Sequence, residues 1–110
     1  MDLVNQLMTK TKMLEPAIRR LAKEGEAYAA AERDYKILLR QEALKLRQLE
    51  MAIGMIDKTV YGIPEVANLR FERDVRETLY KTALEYLNTL KLEIRVLQSQ
   101  IEKEWSHADR

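Results

Sequence analysis

Apolar residues recur along the C-terminal half of the chain at spacings of three and four: Tyr80, Ala83, Leu87, Leu90, Ile94, Leu97 and Ile101. Only a helix gathers that pattern onto one face, and such a seam needs a facing helix. Upstream, Leu21, Tyr28, Tyr35, Leu39, Leu46 and Leu49 fall within one broad helical face. Together the two patterns predict an all-α fold, a long antiparallel helical hairpin of coiled-coil character. The stretch that joins the rods, Met51 to Pro64, is apolar, with Asp57 and Lys58 its only charged residues.

The breakers divide the chain further. Leu3, Leu7 and Met8 recur at helical spacing, which predicts a short N-terminal helix over residues 2–14. Pro16 lacks the donor that a helix interior needs but is harmless at a first helical position, so a second helix is expected over 16–52. Gly25 falls in line with Leu21 and Tyr28, where a missing side chain lets another helix approach, the N-terminal one being the natural candidate. Gly54, Gly62 and Pro64 read as stop and restart signals around a short helical turn at Met55 to Tyr61. The last helix is expected over 64–105, followed by a frayed tail from Ser106 to Arg110. Ala31-Glu32-Arg33-Asp34-Tyr35-Lys36 echoes Phe71-Glu72-Arg73-Asp74-Val75-Arg76, but the flanks match poorly and chance is preferred over duplication.

At 110 residues, one domain spanning 1–110 is the expectation, and 34% charged residues with three Gly and two Pro is the balance of a helical protein. Two rods lying side by side cover only one flank of each other, so the hairpin alone should be marginal. Self-association is therefore expected, as a dimer forming a four-helix bundle along Leu87, Leu90, Ile94, Leu97 and Ile101. Lys and Arg number 19 against 18 Asp and Glu, which leaves no global field to draw in nucleic acid or a membrane surface. The absence of Cys excludes a disulfide framework and thiolate chemistry. The start has neither the basic region nor the apolar run of a signal peptide, and no run approaches a membrane span, so a cytoplasmic location is expected.

Charge placement suggests three local devices. Glu42 projects onto the covered face of its helix, and Arg73 and Arg76 fall near the inner line of theirs, so an ion pair from Glu42 to Arg73 or Arg76 is expected to set register. Such a pair contributes little net stability, yet breaking it strands a charge at about 3 to 5 kcal/mol. A metal site there is disfavoured because arginines already supply positive charge and no His stands nearby. On the solvent side, Arg33, Lys36, Arg40 and Arg47 form a basic stripe able to follow a phosphate backbone. Glu32, Asp34 and Glu50 flank it and no aromatic interleaves it, which favours a solvated face over a nucleic-acid surface.

Catalysis finds little foothold. His107 is the sole histidine, Ser99 and Ser106 are the only serines, and the three glycines build no phosphate loop. No enzyme activity, cofactor or metal is expected. The apolar connection is the exception to this plainness. Ile53, Ile56, Val60 and Ile63 are expected to fold back against Leu49 and Leu69 as a cap, and Met55, Asp57, Lys58, Tyr61 and Ile63 are the candidate contacts for a partner protein.

Tyr28 to Tyr35, Leu69 to Val75 and Lys91 to Trp105 resemble an uncharacterised family of small helical proteins of phages and prophages of Gram-positive bacteria, encoded among early genes. The resemblance spans most of the chain but rests on structural strings and carries over no catalytic residue. It implies a cytoplasmic accessory protein of phage origin, and together with the apolar tip this leads to the expectation of a protein that binds a partner, host or phage machinery for replication, recombination or defence. The alternatives are a nucleic-acid-binding accessory using the basic stripe and a structural phage assembly protein.

Overall fold

The computed structural model describes residues 2–108; of the tail expected to fray, Asp109 and Arg110 lie outside the described residues. Four helices follow one another: α1 (Leu3–Lys12), α2 (Leu14–Gln48), α3 (Ile53–Val60) and α4 (Pro64–Ala108). No strand occurs among the described residues, and the fold is the expected all-α antiparallel helical hairpin.

Local chemistry explains each boundary. Asp2 caps α1, its Oδ1 accepting from the Asn5 backbone N–H at 2.7 Å. Helix α1 stops at Lys12, four residues before Pro16, because proline has no N–H for the Lys12 carbonyl and its ring crowds it. One turn-like residue, Met13, separates α1 from α2, and Pro16 sits in the first turn of α2.

Helix α2 ends at Gln48, four residues short of the expected Ala52. Glu50 takes φ 63°, and the Glu50 N–H bonds the Arg47 carbonyl at 3.0 Å while the Met51 N–H bonds that of Leu46 at 3.2 Å. This is the Schellman closure, with glutamate standing where glycine is usual. Of the two glycines read as stops, Gly62 follows the end of α3 as expected and Gly54 does not mark an end. Gly54 lies inside α3, and no glycine among the described residues has positive φ. Between α3 and α4 the Gly62 N–H bonds the Thr59 carbonyl at 3.1 Å, and Pro64 is the first residue of α4, where its missing donor costs nothing.

The chain packs as two compact units, Met1–Lys23 with Lys81–Arg110, and Glu24–Tyr80. In the first, Ala17, Leu87 and Leu90 form a buried core against which Leu14 and Leu21 pack. Lys10 pairs with Glu93 at 2.8 Å, and since 10 meets 93 while 17 meets 87 and 90, α4 runs antiparallel to α1 and the start of α2. In the second unit, Tyr35, Ile56, Val60 and Val66 are buried. The ring centroids of Tyr28 and Tyr80 lie 5.9 Å apart, and Arg73 stands over Tyr35, again an antiparallel order.

Two sequence expectations need correction here. A Cβ placed on Gly25 would stand 3.2 Å from Tyr80 Cε1, so the close approach at Gly25 belongs to α4 and not to α1. The seam assigned to joining copies is used inside one chain. Leu87, Leu90 and Leu97 are buried by the chain's own helices, and Ile94 and Ile101 are half-buried. The upstream rod expected to face the seam does so through the start of α2, and α1 lies beside it against α4, which leaves less of the seam for a second molecule. The echo between residues 31–36 and 71–76 does not extend to packing, since Tyr35 is buried and its counterpart Val75 is 37% exposed.

Candidate functional site

The apolar connection becomes α3, an eight-residue helix whose Ile56 and Val60, one turn apart, are buried in the second unit. That burial locks one side of the element. Away from it, Met55 is 51% exposed, Asp57 and Lys58 are exposed, and Tyr61 is exposed with the Arg70 guanidinium 5.4 Å from its ring centroid. The cation holds the phenol ring in place without covering it, a contact of about 0.5 to 1 kcal/mol at an exposed site. Ile63, named with these as a contact residue, is half-buried.

The capping expectation holds for Ile56 and Val60 and fails for Ile53. Ile53 is 74% exposed and Leu49, its expected support, is 75% exposed. The cause is the early end of α2: the reversal at Glu50 turns the chain before Leu49 can complete the inner face, and Ile53, first residue of α3, overhangs. These two side chains are the functional candidates that pattern reading assigned to the interior. The only signal for them was indirect, since a helix stop at Glu50 has no glycine to announce it.

The register ion pair is not formed. Glu42 pairs with Lys45 of its own helix at 3.1 Å, Arg73 with Asp74 at 2.8 Å, and Arg76 with Glu72 at 3.0 Å. Each charge finds a partner in its own turn or the next, and the register explains why: with Tyr28 beside Tyr80 and Tyr35 beside Arg73, Glu42 stands level with about residue 66, roughly 10 Å along the axis from Arg73. Arg73 does bridge the helices in another way: its guanidinium carbon lies 4.6 Å from the centroid of the buried Tyr35 ring. Hydrogen bonding to Asp74 raises the Arg73 pKa above its usual value despite partial burial, so the cation persists.

Along the basic stripe, Arg33 contacts Asp34 at 3.1 Å and Lys36 contacts Glu32 at 3.3 Å. Arg40 and Arg47 are exposed and form no ion pair among the described residues. Ile37 and Leu44, 50% and 57% exposed, lie between the cations.

A groove of ≈ 290 Å³ on α4 is lined by Asp74, Val75, Thr78 and Leu79. One carboxylate oxygen of Glu24 is enclosed with no hydrogen-bond partner. No group of three or more His, Asp or Glu among the described residues is placed to hold a metal ion. No helix among them is long and apolar enough to cross a membrane. Compared with protein-family models, curated proteins and solved structures, the chain matches none.

Proposed function

We propose that this chain is a non-enzymatic binding protein that presents the α2–α3–α4 end of its second unit to a partner protein. The observation that carries the reading is that Leu49, Ile53, Met55 and Tyr61 are all exposed on a segment anchored by Ile56 and Val60. Exposed apolar side chains on a rigid support need little ordering on binding, so their burial by a partner is retained as affinity. Lys58, Asp57 and Arg70 at the margin provide polar contacts of both signs, which select orientation more than they add strength.

The setting follows from the resemblance to phage and prophage proteins. The chain acts as an accessory factor in the host bacterial cytoplasm, engaging machinery of replication, recombination or defence. Affinity capture from lysogenic or infected cells tests the reading, using the wild type beside Ile53→Asp and Tyr61→Ala. Both variants keep the wild-type helicity, because neither side chain belongs to the core, and both lose the captured protein. Equal recovery by all three overturns the assignment of the tip.

A further inference from the structure

A second surface lies on α2, away from the tip. Ile37 and Leu44 are seven residues apart, and so are Arg33, Arg40 and Arg47. A period of seven keeps each set in line along a helix paired with another helix. On the far side of α2, Tyr35 is buried against the chain's own core and Glu42 and Leu46 are partly buried, so the Ile37–Leu44 line is an additional seam with no partner in its own unit.

The charges decide what fits. Asp34 and Glu32 already neutralise Arg33 and Lys36 in part, whereas Arg40 and Arg47 carry unopposed charge about 10 Å apart along the axis. Two free cations are few for a phosphate backbone, and two large aliphatic side chains between them would be dehydrated against phosphates for no return. A helix with an apolar stripe edged by carboxylates at heptad spacing satisfies both features: its apolar residues cover Ile37 and Leu44, and its acids meet Arg40 and Arg47.

We propose that the outer face of α2, from Arg33 to Arg47, docks an acidic amphipathic helix of a partner protein. The pairing is a two-stranded coiled-coil contact in which Ile37 and Leu44 supply the buried seam and the arginines at their edge reject basic helices.

The test uses the full chain and two fluorescent designed peptides of about four heptads, identical in their apolar stripe but edged by Glu in one and Lys in the other. The Glu peptide binds the wild type at least about tenfold more tightly than the Lys peptide. Arg40→Glu with Arg47→Glu reverses that preference. Leu44→Asp abolishes binding of the Glu peptide with the circular dichroism spectrum unchanged, and Tyr61→Ala leaves it intact, so this surface is scored independently of the tip. Failure of both peptides to bind, or equal binding of the two, overturns the proposal. So does capture of a short DNA duplex that is lost in the double arginine variant but survives Leu44→Asp, which assigns the face to nucleic acid.

Discussion

Gly25→Ala sets two effects of similar size against each other, and the geometry at α4 says how they balance. Alanine gains about 1 kcal/mol over glycine in a helix interior, because glycine gives up more backbone freedom on folding. The new Cβ, however, stands 3.2 Å from Tyr80 Cε1 and 3.4 Å from Cδ1, inside the ~3.5 to 4.0 Å at which carbons attract. The ring must withdraw by a few tenths of an ångström, and it is not free to do so at no cost. Tyr28 packs against it with centroids 5.9 Å apart and a tilt of 32°, an aromatic pairing that contributes about 0.5 to 1.5 kcal/mol. Loss of part of that contact offsets the propensity gain, so Gly25→Ala alone shifts stability by less than about 0.5 kcal/mol.

The double-mutant cycle with Tyr80→Ala separates the two effects. Once the ring is removed, Gly25→Ala recovers its full gain of about 1 kcal/mol, and the coupling between the sites is about 1 kcal/mol. Urea unfolding followed by far-ultraviolet circular dichroism measures all four corners. A gain of about 1 kcal/mol in both backgrounds refutes the close approach, because it means that the ring yields freely or is not there.

Three further outcomes follow from the packing. Leu90, 2% exposed at the heart of the first unit, loses about 3 kcal/mol on truncation to Ala, while Ile53→Ala changes stability by less than about 0.5 kcal/mol; comparable losses at the two sites in chemical denaturation contradict the burial assignment. Glu50→Gly raises stability by about 1 kcal/mol, because the left-handed backbone at φ 63° penalises any side chain; the thermal midpoint rises, and a fall places the end of α2 elsewhere. Val66, fully buried in the second unit, loses about 2 kcal/mol on truncation to Ala; an unchanged midpoint in urea places Val66 outside the core.

The apolar period of α4 was legible because it depends on helix geometry alone: Leu87, Leu90 and Leu97 recur at three and four whatever covers them, and all three are buried. The upstream rod that covers them was legible from its own apolar face, whereas the part taken by α1 was not, since a short helix ahead of Pro16 can lie against any apolar flank of the hairpin. The tip was legible as an anomaly of composition. Its division into the buried Ile56 and Val60 and the exposed Ile53 was not, because that division turns on where α2 stops. Glycine and proline announce a helix end in the residues themselves. A glutamate forced into left-handed geometry does not, and Leu49 was misplaced with it.

What the residue order determined by itself is the helical class, the break caused by Pro16, the restart at Pro64 and the inner stripe of α4, all set by interactions spanning a few residues along one backbone. What only the tertiary structure decided is the pairing of charges and the fate of side chains at the ends of helices. Glu42, Arg73 and Arg76 each pair within their own helix. The register of α2 against α4 decided this, seating Arg73 over the Tyr35 ring and leaving Glu42 about two turns further along, because where two helices come to rest along each other is set by side-chain packing that no spacing along one chain encodes.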